Sequence, residues 1–338
     1  MTKPKEKSTE YSKKMSFWER NRLSEGYVLR RGIMKWAVAI ARFILLFGLC
    51  FLILQPILNK ISVSFMTEAD LYNPIVISIP EHFTTDNYRL AAELMSYSKA
   101  IVNSLVISLT IALLQVTVCL LVGYGFARFE FPLKKFWFAC VVMLIIIPPQ
   151  TIQTALFMSF THFDIFGIFK ATTGSDINLR SSLIPYTLMC LTCMGLKDGL
   201  YIYMLRQYFK SVPVSLEEAA YVDGCGTVHT FVKIMLPDAV PTIASCFLFS
   251  FVWQWTDLFY TRNFISGYKV YSRELSNITS IMSKYFARNA TENVTVPLGR
   301  QMQLIGIGVF ICCVPLIILY AFTQKTFVQS LTMTGSKE

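Results

Sequence analysis

The chain has 338 residues; 54% are hydrophobic, only 15% are charged, and 31 lysines and arginines against 21 acids give a formal charge of +10. Soluble domains carry about a quarter charged residues, so this composition excludes an ordinary water-soluble protein. The charges gather in blocks between long apolar runs, which is the pattern of a membrane protein.

Residues 1–37 form a polar, basic tail with Lys3, Lys5, Lys7, Lys13, Lys14, Arg20, Arg22, Arg30, Arg31 and Lys35. A basic tail beside a membrane is accounted for by anionic lipid, and no nucleic-acid partner is expected. The first apolar run is too long for the core of a cleaved signal peptide and no small-residue cleavage site follows it.

Six apolar runs are long enough to cross a bilayer, which takes a helix of roughly 20 residues. They lie near 38–58, 101–123, 136–159, 182–205, 241–264 and 302–323. Backbone polar groups in lipid must be bonded within their own segment, so these runs are expected to be helices. The short alternating strands of a membrane barrel are not seen. The expected fold is an all-α integral membrane protein, with a six-helix transmembrane domain over 38–323. Only Lys60, Arg89 and Lys99 follow the first span before the second. The positive-inside rule therefore puts the N-terminus in the cytoplasm, and six crossings return the C-terminus there. Arg42, shallow in the first span, can snorkel to the interface.

Outer segments are expected at 59–100, 160–181 and 265–301, inner ones at 123–132 and 206–240, and a short polar cytoplasmic tail at 324–338. Eight of the nine cysteines fall in spans, and Cys190-x-x-Cys193 reads as packing in an apolar helix. Glycosylation-type triplets begin at Asn277, Asn289 and Asn293, a spacing common by chance.

The inner segment 206–240 holds the most specific pattern. Pro213 precedes a helix start, Ser215 is placed to cap it, and Glu218 three residues on completes a capping box. Glu217 and Glu218 suit the positive end of the helix dipole. Ala219 and Ala220 keep one face thin, and Gly224 and Gly226 end the helix in a left-handed turn. A second helix is expected from Thr227 to Leu236, with Val228, Phe231, Ile234 and Met235 as its apolar stripe and Pro237 as its stop. The hairpin is suited to insertion into a cleft on another protein; as physics alone it could equally be an amphipathic link between two spans.

Glu218-Ala219-Ala220, three residues, Gly224, nine residues, then Ile234-x-Leu236-Pro237 resembles the EAA loop of ATP-binding-cassette importer permeases. Asn103-Ser104-Leu105, the stretch Gly123 to Pro132, Arg206-Gln207-Tyr208-Phe209 with Pro213, and Phe251-x-x-Gln254-Trp255-x-Asp257 are similar to carbohydrate permeases of the maltose-transporter type. Thr256 stands where Asn is usual. The ending through Leu331, Thr332, Gly335 and Lys337 also resembles the family's tail, and the likeness runs from about residue 40 to the end.

The resemblance implies a permease subunit in the plasma membrane. Its coupling helix, with Glu217, Glu218, Ala219, Ala220, Asp223, Gly224, Phe231, Leu236 and Pro237, would dock on a cytoplasmic ATPase. It also implies two ATPase subunits that bind ATP and Mg, a second permease subunit, an extracellular solute-binding protein and a carbohydrate cargo. A peptide or polyamine cargo, or a secondary transporter without an ATPase, are the other readings.

Charges within spans are costly, about 2.5–3.5 kcal/mol each at mid-helix on insertion scales. Lys197 and Asp198 in span four, near Gly195 and Gly199, therefore either line a wet pathway or mark a break that leaves them at an interface. In span five Phe249, Trp253, Asp257 and Tyr260 share one helical face, with Gln254 beside it. Aromatic faces and carboxylates suit a sugar, while an interfacial aromatic belt would look the same. No nucleotide-binding Gly-x-x-x-x-Gly-Lys-Ser/Thr loop occurs, and His82, His162 and His229 stand in three different loops. The chain is thus expected to hold no cofactor or metal of its own and no catalytic set.

Overall fold

A computed structural model describes Trp18, Arg22, Leu23 and residues 25–164, 167–289 and 296–335. Asn293, Lys337 and most of the basic tail lie outside the described residues. The described chain is helical, with two isolated bridges, Met66 to Phe83 and Phe163 to Ile177.

In chain order the helices are α1 Tyr27–Ser64, α2 Glu68–Tyr72, α3 Asp86–Leu94, α4 Tyr97–Arg128, α5 Lys134–Ile146, α6 Gln153–Thr161, α7 Ile168–Thr173, α8 Ile184–Leu191 and α9 Asp198–Ser211. They continue as α10 Ser215–Val222, α11 Thr227–Thr230, α12 Leu236–Asp238, α13 Val240–Thr256, α14 Phe259–Phe264, α15 Tyr271–Ser276, α16 Ile278–Asn289 and α17 Leu298–Gly335.

Three of the six apolar runs are single helices: α1, α4 and α17. Each is long and apolar enough to cross a membrane, and among the described residues two bent helix pairs bring that number to at most five. α1 starts well before the expected boundary, and α17 carries the expected polar tail on as helix to Gly335. α1 is apolar over most of its length and is exposed along it.

The other three runs are interrupted. The stretch 136–159 was expected as one helix, but α5 and the segment Pro149–Thr161 meet at 100°. Pro148 and Pro149 supply no N–H, and they force Ile147 and Pro148 into extended backbone. The stretch 182–205 breaks between Leu191 and Asp198. There Cys193 and Lys197 take left-handed backbone, with φ of +58° and +68°. The stretch 241–264 breaks at Asp257, between α13 and α14.

α4 is the central post. α9 packs so closely on it that a Cβ at Gly123 would lie 2.9 Å from the Leu205 Cβ. Tyr201, Ile202, Leu205 and Phe209 on α9 bury against Cys119, Leu120 and Tyr124 on α4. α13 packs on its other side through Phe251 and Trp255, whose rings stack at 5.8 Å.

Coupling hairpin and central cavity

The stretch from Val212 to Ala239 folds as a hairpin beyond the ends of α4 and α9. Its first helix, α10, begins one residue earlier than the capping-box reading requires. Val214 is already helical (φ −63°, ψ −29°) and occupies the cap position, and no side chain caps the helix. Ser215 therefore lies inside the first turn, and the expected Ser215–Glu218 box does not form.

The other end of α10 matches the expectation. Gly224 takes φ +82°. The Cys225 N–H donates to the Ala220 carbonyl at 2.9 Å and the Gly224 N–H to Tyr221 at 3.0 Å. This is the Schellman termination, in which a left-handed glycine satisfies the last carbonyls.

Pro237 does not stop the second leg. Helical structure runs from α11 through a π turn at Phe231–Met235 into α12, and the chain then swings by 75° into α13. Proline removes one N–H and crowds the carbonyl four residues back, here Lys233. The wider π turn absorbs that conflict.

The two adjacent glutamates of α10 point different ways. Glu218 is exposed, as are Ala219, Tyr221, Val222, Asp223, Gly224 and Val228. Glu217 and Ala220 are buried. The Glu217 carboxylate lies 3.1 Å from Arg128 Nε, and both side chains are over nine-tenths buried. Tyr124 donates its hydroxyl to the same oxygen at 3.2 Å, and Arg128 Nη2 donates to the Val212 carbonyl at 2.8 Å. The Tyr124 ring lies 4.6 Å from that of Phe231 and 5.3 Å from that of Phe209. Leu236 packs on the same cluster, while Pro237 is exposed. Tyr208 on α9 bonds Asp238 through both its backbone carbonyl (2.6 Å) and its carboxylate (2.8 Å). The hairpin is therefore bolted to α4 and α9 on one face and bare on the other.

The three helix breaks meet around one cavity of about 720 Å3. Its walls are Leu144–Gln150 from the first break, Cys193–Gly199 from the second, and Trp253 with Thr256–Tyr260 from the third. Irregular backbone at membrane depth is tolerated where it is buried in protein or lines a wet cavity.

Four of the six residues expected on a pathway, Lys197, Asp198, Trp253 and Asp257, line this cavity. Phe249 packs instead against the α4–α9 core, and Gln254 is buried beside Trp255 on α13. The Lys197 ammonium sits 5.1 Å above the Trp253 ring. Among the described residues no carboxylate pairs with it.

Both carboxylates in the wall are held from behind. Asp198 accepts from Gln115 Nε2 and, at 2.6 Å, from the Gly195 N–H. Gln115 also donates to the Leu196 carbonyl at 2.7 Å and accepts from Ser250. This buried chain joins α4, the second break and α13. Asp257 accepts from the Tyr186 hydroxyl at 2.7 Å, from the Thr261 N–H at 2.8 Å, and more loosely from the amides of Phe259 and Tyr260. Its carboxylate thus satisfies the free amides of the first turn of α14, from just before the cap residue Leu258. The sequence reading missed Gln115 and Tyr186; a glutamine amid the apolar run of α4 was the available signal.

A helical membrane protein whose broken helices enclose a cavity, with an anchored hairpin standing clear of them, is built as a transport permease. The chain belongs to the family of binding-protein-dependent transport system inner membrane components, whose pattern matches residues 119–332. It is a multi-pass membrane protein of the ATP-binding-cassette importer type.

The chain is 24% identical over 299 residues to a probable ABC transporter permease of Pyrococcus horikoshii, covering 88% of this chain and 94% of that one. It is 24% identical over 292 residues to an arabinooligosaccharide permease of Halalkalibacterium halodurans, covering 86% and 93%. It is 24% identical over 295 residues to a maltodextrin permease of Streptococcus pneumoniae, covering 87% and 94%. In fold it is similar to a chain of a bacterial importer of the acidic polysaccharide alginate, with a TM-score of 0.62, 16% identity, and 87% and 98% coverage.

Proposed function

We propose that this chain forms half of the translocation pathway of an importer for a sugar or oligosaccharide. In this reading it crosses the membrane six times, with both termini in the cytoplasm, and a second permease subunit closes the other side of the pathway. A solute-binding protein delivers the cargo from outside. Two cytoplasmic ATPase subunits hold ATP and Mg and supply the work.

The observation that carries the reading is the two-faced hairpin. Its inner face is fixed by Glu217, Phe231 and Leu236 to the ends of α4 and α9. Its outer face offers Glu218, Ala219, Asp223 and Gly224 to a docking subunit. ATPase closure displaces the outer face, and the buried bolts carry the displacement into the spans. A ligand or partner shifts a conformational equilibrium only through its differential affinity for the two states. The hairpin must therefore bind the closed and open ATPase differently.

Cargo contact falls to the cavity wall. The Trp253 face offers stacking and Lys197 a donor, while Asp198 and Asp257 fix the broken backbone that presents them. Carbohydrate as cargo is supported by the relatives named for arabinooligosaccharides and maltodextrin.

The test is affinity purification of the tagged chain from its native membrane, with mass identification of its partners. The account expects one further permease, an ATPase in two copies and, after gentle cross-linking, a binding protein whose purified form takes up an oligosaccharide. A chain that transports alone, with no ATPase attached, contradicts it.

A further inference from the structure

Between α1 and α3 the chain makes a closed strap. Met66 bridges Phe83, the Thr84 N–H donates to the Phe65 carbonyl at 2.9 Å, and the rings of Phe65 and Phe83 stack at 4.6 Å. Asp70, buried, accepts the His82 N–H at 2.8 Å and lies 2.9 Å from His82 Nδ1. The strap is thus locked at its base. Its tip, Asn73–Pro80, contains no charged residue, and it turns Ile75, Ile77 and Ile79 outward at 85%, 83% and 82% exposure. The tip is turn and bend, tightened where the Val76 N–H donates to the Asn73 carbonyl at 3.1 Å, and the three isoleucines project from it into open space.

Isoleucines facing water are unfavourable, and the strap stands at the end of an apolar helix. Ser62, near the end of α1, donates its hydroxyl to the Ser78 carbonyl, so the tip lies against the last turn of that helix. The apolar run of α1 closes near residue 58. At 1.5 Å per residue, Ser62 stands about 6 Å beyond it, within the headgroup layer. α1 exposes Leu58 and Ile61 just below this level. The exposed isoleucines therefore stand beside the exposed apolar surface of the helix end. Phe83 and Tyr72, both exposed, stand at the same end, as aromatic residues do where a membrane meets water.

We infer that residues 73–80 form a wedge that seats Ile75, Ile77 and Ile79 in the headgroup–acyl boundary of the leaflet at this end of α1. In the proposed orientation that is the outer leaflet. The occupant is lipid: the tip is uncharged, and it lies against the end of a helix long and apolar enough to cross a membrane. The wedge holds the strap and α3 at a fixed depth while the spans move.

The test uses the whole complex in vesicles of phosphatidylethanolamine and phosphatidylglycerol. Ile77→p-benzoylphenylalanine is irradiated and its products are weighed intact, with the same probe at Phe47 on α1 and at Val228 on the hairpin as references. A phospholipid adduct is expected at 77, in yield within about twofold of that at 47 and about tenfold above that at 228. The probe at Ile79 must give the same pattern, which guards against one unfavourable position. Adducts at 77 and 79 that are mainly to another protein, or lipid yields no higher than at 228, overturn the inference. Because the readout is lipid contact and not transport, failure here leaves the importer reading standing, and failure of that reading leaves the wedge testable.

Discussion

Arg128, the last residue of α4, and Glu217, in the first turn of α10, meet as a buried ion pair at 3.1 Å. One belongs to a membrane helix and the other to the hairpin that stands outside it. Arg128 Nε is close to the carboxylate without being aligned for a hydrogen bond, and Tyr124 and the Val212 carbonyl complete the node. On the proposed reading this joint transmits force, because neither charge can leave it without losing its counter-charge in a dry environment.

Removing one member of a buried ion pair costs about 3–5 kcal/mol, because the other charge is left unpaired. Arg128→Ala and Glu217→Ala should each lower uptake about tenfold or more. ATP hydrolysis by the assembled complex should persist, so that the transport-to-hydrolysis ratio falls. The exchange Arg128→Glu with Glu217→Arg should recover part of the ratio. Single variants that transport at full rate would remove the node from the mechanism.

Glu218 predicts a different failure. Being exposed on the bare face, it contributes little to the fold, and Glu218→Ala should insert and unfold like the parent. What it should lose is retention of the ATPase, by about tenfold in pull-down yield, the size expected for a central interface contact. Equal ATPase recovery with Glu218→Ala and the parent chain would place docking elsewhere.

Gly224 holds φ +82° with open space where a Cβ would point. The cost of a side chain there is conformational, about 1 kcal/mol for Ala, and Asn should be tolerated better than Ala because it visits left-handed backbone more readily. Gly224→Pro, which fixes φ near −65°, should abolish transport. An order of activity other than Gly, Asn, Ala, Pro in uptake assays would contradict the turn.

On the proposed reading, Lys197 and Trp253 in the cavity wall act on cargo and not on assembly. Lys197→Met and Trp253→Ala should leave ATPase and partner retention unchanged and raise the half-saturating cargo concentration for uptake. The rise should be about fivefold, the scale of a cation–π or stacking contact. Asp198→Leu should be more severe, since it unties Gln115 and the Gly195 N–H from the second break; Asp198→Asn should fall between.

The strap carries a pH dependence. The hydrogen bond to His82 holds Asp70 below the usual carboxylate range, and the bond to Asp70 holds His82 above the usual histidine value. The histidine's contribution is fully present below its ordinary pKa near 6.5 and is lost as pH rises through the raised value. The aspartate's contribution is present above its ordinary pKa and is lost as pH falls through the lowered one. Protection of the His82 amide against hydrogen exchange, corrected for intrinsic rates, should therefore be greatest at mildly acidic pH and decline above it. In Asp70→Asn that decline should disappear.

Much of this was readable from sequence because it rests on length or residue type. The runs that fold as α1, α4 and α17 announce themselves by extent, and Gly224 by being a residue that accepts left-handed backbone at the end of a helical pattern. The rest depends on partners far away in the chain. Glu217 and Glu218 are chemically equivalent neighbours, and only the position of Arg128 decides which is buried. The break in the fourth run uses positive φ at Cys193 and Lys197, residue types that give no hint of it, held by Gln115 from another helix. Ser215 misses its capping role because Val214 is already helical, and Pro237 fails to end its helix because a π turn makes room for it. In sequence Asp257 reads as a carboxylate on a helical face, for a sugar or for an interface; its hold on the first turn of α14 appears only once Tyr186 and Thr261 are brought beside it.

The claim on which the account turns is that the bare face of the hairpin meets an ATPase in the cytoplasm. A cysteine at Val222, which is 87% exposed, placed in a chain whose native Cys225 is replaced by serine, reads this directly. The account predicts that a membrane-impermeant maleimide modifies it in inside-out vesicles stripped of the ATPase, but not in intact cells, and that adding the ATPase back protects it. Modification from outside intact cells, or labelling that the ATPase leaves untouched, contradicts it.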